Sequence, residues 1–217
     1  MSSWIDLFNG RDLSGWQGLG GVEHEWQVAG ALPLLSDDPG HFEIQAGEGV
    51  LVNGKAGKTA NLLTEQVFGD CELHLEFVMA KGSNSGVYFM GHYEIQVFDS
   101  WEAEELKYSS CGGIYCRWIN QQPVGGTPPR VNASRAPGEW QSYDVIFRAP
   151  QFNDGGEKVS NGRFEKVVWN GEVVHENVEV EGSTRAAMDG PEQALGPLMV
   201  QGDHGPVGYR NIRLKEI

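Results

Sequence analysis

Residues 70–79 of the chain read DCELHLEFVM, which is the clearest strand pattern in the sequence. Apolar side chains occupy every second position from Cys71 to Phe77, and charged or polar side chains occupy the positions between them. Successive side chains of an extended backbone point to opposite faces, so a period of two predicts a β-strand that is buried on one face. The chain should therefore contain a sheet with a core side and an opposite side.

Similar runs follow along the chain, and turn signals separate them. The clearest turn signal is Asn170-Gly171 between two β-branched runs, because a type I′ turn needs positive φ at both central residues. Helix signals are poor: residues 100–106 contain good helix formers but form only a short stretch between strand-like runs. The other predicted strands are residues 86–91, 93–98, 142–148, 164–169, 172–175, 197–201 and 209–217. Many short strands with such turns predict an all-β sandwich.

Length and composition agree with one β domain over residues 1–217. Glycine accounts for 30 of the 217 residues, about twice its average share, which suits a fold with many turns. The net charge of −14 argues against nucleic acid and anionic membranes as partners, since their phosphates would repel the protein. The charge says little about a neutral carbohydrate as a partner.

The three cysteines predict no metal site and leave one bridge open. Their odd number leaves at least one thiol unpaired, and no CxxC pair or Cys/His cluster suggests zinc. A disulfide between Cys111 and Cys116 would need a turn, which the two intervening glycines favour but do not require.

Targeting signals are absent from the sequence as it stands. No apolar run reaches 18 residues, so no transmembrane helix is expected, and the start MSSWIDLF lacks the pattern of a signal peptide. A chain from which a signal peptide had been removed could begin in the same way. A periplasmic or secreted location and a cytoplasmic one therefore both stay open.

The run HYEIQVFDS, residues 92–100, carries the most chemical information. Ile95 and Val97 mark the core side of a strand, so Glu94 and Gln96 should project together from the other face. In a sandwich whose sheet is curved, that face forms a groove. A carboxylate beside an amide in a groove can bind sugar hydroxyls or move protons, whereas an ordinary solvated face would look the same in this strand alone.

Other polar and aromatic residues are candidates with equally simple structural explanations. Asn84 precedes a predicted strand, where turn chemistry also accounts for it. His204 lies between glycines in a predicted loop, which suits acid–base work, although lone loop histidines are more often inert. Trp140 and Trp169 are expected in the core. The side chains that could stack on a sugar ring are Trp16, Trp101, Tyr115 and Trp118.

The chain resembles the 3-keto-disaccharide hydrolase domain family over nearly its whole length. The motifs that carry the resemblance, in order, are LFNGRDLSGW, GDCELHLEF, NSGVYF, YEIQVFD, GGIYC, PGEWQSYDV, WNGEVV and GPLMVQGDHGPVGYRNIRL. The resemblance implies a concanavalin A-like jelly-roll β-sandwich of two antiparallel sheets. It also implies hydrolysis of glycosides that are already oxidised to a ketone at sugar C3.

Carried onto this sequence, the resemblance implies a set of site residues. The catalytic candidates are Glu94, His204 and Arg210; our hypothesis is that Glu94 or His204 is the base and that Arg210, with Gln96, stabilises an oxyanion. The substrate-binding candidates are Asn84, Gln96, Asp99 and Gln201 from these motifs, together with Tyr115 and Trp118 from the aromatic residues that could stack on a sugar. Neither a cofactor nor a metal is predicted. Residues 21–40 and the Pro/Gly-rich residues 121–138 depart from the family pattern, which affects substrate choice more than fold.

Two other functions are alternatives for a sandwich of this kind. A retaining glucanase needs two carboxylates about 5–5.5 Å apart across the bond. Here Gln96 and Phe98 occupy the positions that would share a face with Glu94, and Asp99 should point elsewhere. A non-catalytic, lectin-like sugar-binding module stays open as the alternative.

Overall fold

Two antiparallel sheets pack face to face in the computed structural model, which describes residues 3–217. The larger sheet has eight strands and the smaller has five. The chain passes repeatedly between the two sheets, so neighbours within a sheet are mostly distant in sequence. The predicted fold class, a concanavalin A-like jelly-roll β-sandwich, is confirmed.

The larger sheet is centred on the strand that the sequence marked most clearly. Its strands are β1 (Ile5–Asp6), β3 (Gln27–Ala31), β4 (Gln45–Val52), β6 (Cys71–Met79), β11 (Gln141–Arg148), β14 (Gly162–Trp169), β15 (Glu172–Val180) and β17 (Val207–Glu216). Their spatial order is β15-β14-β11-β6-β17-β4-β3, and β1 also pairs with β17. Residues 21–40, which depart from the family pattern, supply β3 at one edge.

The smaller sheet carries the segments of greatest chemical interest. Its strands are β2 (Trp16–Gly18), β5 (Leu62–Phe68), β7 (Asn84–Phe89), β8 (Tyr93–Phe98) and β16 (Gly196–Val200), in the spatial order β2-β5-β16-β7-β8. Two short hairpins lie outside both sheets. They are β9 (Arg117–Ile119) with β10 (Gln122–Val124), and β12 (Gln151–Phe152) with β13 (Lys158–Ser160).

The core lies between the sheets and is built from the apolar face of each. Leu75 and Phe77 of β6 are fully buried there, as are Ile95 and Val97 of β8. The Phe89 and Phe147 rings meet across the core with their centroids 5.1 Å apart. A hydrogen bond of 2.8 Å between the hydroxyls of Ser85 and Tyr209 also joins the sheets. Inward-facing apolar side chains of both sheets therefore form one core.

Local predictions are confirmed where the residues impose a special geometry. Asn170 and Gly171 have φ values of 51° and 88° and connect β14 to β15 as a hairpin. Residues 100–106 form turns rather than a helix. Trp169 is fully buried as expected, whereas Trp140 is only half-buried.

Among residues 3–217 the structure has neither a disulfide bond nor a membrane-spanning helix. Cys71, Cys111 and Cys116 are buried free thiols, so the bridge that the sequence left open is not formed. Within residues 3–217, no helix is long and apolar enough to cross a membrane.

Candidate functional site

A polar cavity of about 220 Å³ opens on the face of the smaller sheet that points away from the core. We call it the catalytic cavity, after the role that we propose for it below. Strands β7 and β8 form its floor, and residues 184–188 and 201–205 form part of its rim. It is lined by Asn84, Tyr88, Glu94, Gln96, Tyr115, Arg185, Ala186, Gln201 and His204. Six of the predicted site residues thus come together in one place: Asn84, Glu94, Gln96, Tyr115, Gln201 and His204.

Strand β8 places Glu94 and Gln96 in the cavity by simple alternation. Ile95 and Val97 enter the core, so the carboxyl and amide side chains between them point the other way. Both are nevertheless almost fully covered, at 2% and 3% exposure. A strand with one polar face usually leaves that face in water, so the cover is unusual.

The cover comes partly from residues 112–115, which run beside β8. The Gln96 N–H donates to the Gly113 carbonyl at 2.8 Å, and the Tyr115 N–H donates to the Glu94 carbonyl at 3.0 Å. Ile95 also pairs with Ile114 as an isolated bridge. The segment therefore acts as a further edge of the smaller sheet and places the Tyr115 ring beside Glu94.

Gly86 of β7 leaves the space that the Glu94 carboxyl fills. Gly86 lies opposite Gln96 in the β7–β8 register, two pairs away from Tyr88 and Glu94 and on the same face as they are. A Cβ atom at position 86 would lie 2.1 Å from Glu94 Oε1. The glycine of the NSGVYF motif is thus required by the close approach of the carboxyl group and not by a turn.

The Gln96 amide lies between two other polar groups of the cavity. In one orientation its NH₂ donates to Asn84 Oδ1 at 3.0 Å, and its oxygen then faces Glu94 Oε1. In the reverse orientation the NH₂ donates to Glu94 Oε1 at 2.9 Å. The first orientation requires a protonated Glu94 that donates to the amide oxygen, and the second suits an ionised one. The amide can therefore serve either protonation state of the carboxyl.

Burial governs the acidity of Glu94. Removal from water raises the pKa of Glu94 to about 8, the Tyr88 hydroxyl acts in the opposite direction, and the negative charge of Asp203 adds to the rise. Glu94 therefore keeps its proton at neutral pH. A carboxylic acid of this kind can donate a proton to an oxygen atom within reach.

One buried polar atom in the cavity, Gln201 Oε1, has no hydrogen-bond partner among the described residues, and its side chain is 6% exposed. The fully buried Tyr88 hydroxyl, by contrast, lies close enough to the Glu94 carboxyl to lower its pKa. Buried polar atoms are rarely left unpaired, because each loses its hydrogen bonds to water. The Gln201 amide oxygen is therefore available to a polar ligand.

His204 is held at the cavity rim with one ring nitrogen already engaged. Its Nδ1 pairs with the Asp203 carboxylate, which leaves Nε2 free to face a ligand. The buried Asn53 fixes the surrounding loop: its amide donates to the carbonyls of Gly202 and Gly205 at 3.0 and 2.9 Å, and its oxygen accepts from the Val207 N–H at 2.9 Å. This geometry is that of a base whose orientation is set by a carboxylate.

Arg185 is the cation of this cavity, and the sequence analysis did not find it. Its backbone N–H donates to the Cys116 carbonyl at 2.8 Å, and its guanidinium lies 4.1 Å from the centroid of the Trp118 ring. Tyr88 was also missed, although it alternates with Gly86 and so shares a face with it. For Arg185 no local pattern gave a signal, since it lies in an irregular loop that other segments hold in place.

Three predicted site residues lie outside the catalytic cavity. Arg210 is on β17 of the larger sheet, where it pairs with Glu76 of β6 at 2.6 Å and stacks on Trp140 at 3.9 Å. Because Tyr209 beside it enters the core, Arg210 points out from the opposite side of the sandwich. Asp99 accepts the backbone N–H groups of Gly82 and Trp101 and so stabilises turns.

The third, Trp118, reaches the site only through Arg185. Of the other aromatic candidates, Trp16 is buried and donates to the Leu7 carbonyl at 2.7 Å, and Trp101 is 46% exposed outside the cavity lining. Among residues 3–217, no three His, Cys, Asp or Glu side chains cluster where they could hold a metal ion.

Comparison with family models gives a match over residues 3–215 to the 3-keto-alpha-glucoside-1,2-lyase-like domain. The chain belongs to this family. The search of curated proteins found no match.

Solved structures of the same fold come from Parabacteroides distasonis ATCC 8503. One candidate glycosyl hydrolase is 28% identical with a TM-score of 0.68, and the alignment covers 99% of this chain and 84% of the other. A second is 20% identical with a TM-score of 0.65, covering 99% and 94% of the two chains. The second similarity concerns the fold alone.

Proposed function

We propose that the protein cleaves the glycosidic bond of 3-keto-glycosides, including 3-keto-disaccharides, by elimination followed by hydration. Membership of the family and similarity to a candidate glycosyl hydrolase support the broader assignment, a glycoside-cleaving protein that binds carbohydrate. The observation that carries the finer assignment is a buried Glu94 carboxyl, whose pKa burial raises, in the same cavity as the Asp203–His204 pair.

The ketone makes this chemistry accessible without a pair of ionised carboxylates. A carbonyl at C3 acidifies the proton on C2, and the glycosidic oxygen on C1 lies β to that carbonyl. Removal of the C2 proton gives an enolate. The C1–O bond then breaks, a C1–C2 double bond forms, and the leaving group departs as an alcohol after it takes up a proton. Addition of water returns a hydroxyl to C1 and a proton to C2.

Each step has a suitable group in the cavity. His204 Nε2 takes the C2 proton, and Asp203 stabilises the imidazolium that results. Glu94 protonates the departing oxygen. Arg185 and the Tyr88 hydroxyl stabilise the enolate oxygen, and the amides of Asn84, Gln96 and Gln201 hold ring hydroxyls. Arg185 takes the oxyanion role for which Arg210 was expected, because Arg210 lies on the other side of the sandwich.

A test of this proposal is turnover of a panel of 3-keto-glucosides beside the unoxidised glucosides. We expect the wild type to release aglycone from the keto-sugars alone, and Glu94→Gln and His204→Ala each to lower kcat by roughly 100-fold or more. The matched control is His74→Ala, since His74 also pairs with an aspartate, Asp144 at 2.7 Å, but lies on the larger sheet. It should keep wild-type turnover.

Two outcomes would contradict the proposal. Wild-type rates in both site variants would remove the assignment of acid and base. Binding of unoxidised sugar without turnover of any keto-sugar would instead favour a lectin-like module, which has no need of a buried carboxylic acid.

A further inference from the structure

A second cavity, of about 340 Å³, adjoins the catalytic cavity. We call it the side cavity. Tyr115 lines both, and the side-cavity residue Thr184 directly precedes Arg185 of the catalytic cavity. One wall of the side cavity is residues 124–127, which end the β9–β10 hairpin, and the other is residues 179–182 at the end of β15. A ligand in the catalytic cavity could therefore extend past Tyr115 into this space.

Both walls are tied to the segment that carries Tyr115. Ile114 and Thr127 exchange two backbone hydrogen bonds, of 3.0 and 2.9 Å. On the other side, the Arg117 guanidinium pairs with the Glu181 carboxylate, and the Arg185 N–H donates to the Cys116 carbonyl at 2.8 Å. The Pro/Gly-rich stretch that departs from the family pattern is thus held against the site at this point. The side cavity is preformed, which lowers the entropy cost of binding.

The lining of the side cavity suits a ligand rich in hydroxyl groups. It contains the Arg117–Glu181 ion pair, and glycines expose backbone donors and acceptors. The Tyr115 ring offers a flat surface for the C–H face of a sugar. Charged and backbone groups of this kind match sugar hydroxyls better than they match a large apolar aglycone.

The size of the catalytic cavity indicates that it holds only part of a disaccharide. Its 220 Å³ is below the roughly 300–1,000 Å³ usual for drug-sized ligands. It suits one sugar ring, so the second unit of a disaccharide has to lie elsewhere. The side cavity, reached past Tyr115, is the adjoining space of sufficient size.

We infer that the side cavity binds the leaving group of a 3-keto-disaccharide, a second sugar ring, while the oxidised ring occupies the catalytic cavity. This inference rests on the function proposed above. It makes the side cavity a specificity site, with residues 124–127 and 179–182 selecting a sugar as the leaving group.

A substitution at Gly182 should fill the side cavity and leave the catalytic cavity unchanged. Its φ lies outside the left-handed region, so a larger residue fits its backbone. A Cβ atom there would lie 3.4 Å from Arg117 Cδ, an ordinary contact with another lining residue. Gly182→Leu should therefore place an isobutyl group in the side cavity. Val124→Trp fills the same space from the other wall, and Gly155→Leu, in the turn between β12 and β13, is the control.

The experiment compares the 3-keto derivatives of an α-linked glucose disaccharide and of methyl α-glucoside. We expect Gly182→Leu and Val124→Trp to lower kcat/KM for the disaccharide at least about tenfold, and for the methyl glucoside less than about twofold. Turnover of the methyl glucoside also reports that each variant is folded. Gly155→Leu should match the wild type on both substrates.

The outcomes separate this inference from the proposed function. Equal losses on both substrates in both variants, or no loss on either, would overturn the side cavity as the leaving-group site while the proposed function stands. Failure of the wild type to act on either keto-sugar would overturn both.

Discussion

At the residue scale, the proposed chemistry depends on one carboxyl group and the space made for it. The sequence predicted that Glu94 and Gln96 share a face, because alternation along a strand is a local property. It could not predict that this face is covered, because the cover comes from residues 112–115 and from the loops at 184–188 and 201–205. The raised pKa of Glu94 is thus a consequence of tertiary structure.

The raised pKa of Glu94 predicts a pH dependence of stability. The group titrates near 4.5 when unfolded and near 8 when folded, so between these values the folded protein binds the extra proton. Its contribution to the free energy of unfolding is complete below pH 4.5 and is lost as pH rises toward 8, by at most about 1.4 kcal/mol per pH unit. Denaturant unfolding of wild type and Glu94→Gln across this range should show the difference. Parallel stability curves would contradict the assignment.

Gly86→Ala tests the space that the carboxyl group occupies. The new Cβ would lie 2.1 Å from Glu94 Oε1, so the carboxyl must move while the strand backbone can stay. We expect kcat on a 3-keto-glucoside to fall by roughly 100-fold, since displacements near 1 Å can have effects of this size. The melting temperature should change little. Gly155→Ala is the matched control, and wild-type turnover by Gly86→Ala would show that the position of Glu94 is unimportant.

At the scale of elements, the loop at 202–206 shows how His204, the proposed base, is held without regular structure. The sequence marked His204 by its glycine-rich context, but Asn53, more than a hundred residues away, gave no signal. Its side chain replaces the partners that strand pairing would provide for the backbone. Such a long-range bond depends on the packing of β4 beside β17 and so lies outside what a local pattern can predict.

Replacement of Asn53 by alanine should loosen this loop before it affects the sheets. Three backbone groups would lose their buried partner, at a cost of about 1–3 kcal/mol for each unsatisfied group. We expect faster amide hydrogen exchange at residues 202–207 than in the wild type, unchanged protection in β6, and a lower kcat. Equal protection of the loop in both proteins would contradict the role of Asn53 as a positioning residue.

At the scale of the whole molecule, the sandwich and most of its strands could be predicted, and the division of residues between its two outer faces could not. Alternation shows that Arg210 leaves the core, but not which sheet carries it. That depends on the pairing of β17 with β6, and the result sets Arg210 on the face opposite Glu94. Arg185 provides the cation instead, from a loop whose position is fixed only by the finished fold.

The fold as a whole thus presents one acid, one carboxylate-oriented histidine and one cation in a single cavity, and these groups suit elimination from a keto-sugar. The most direct test is turnover of a 3-keto-glucoside in D₂O, with a reaction without enzyme to correct for spontaneous exchange. Elimination and hydration predict one deuterium at C2 of the released keto-sugar, delivered at the rate of aglycone release. Release with the C2 proton retained would show direct hydrolysis at C1 and contradict the account.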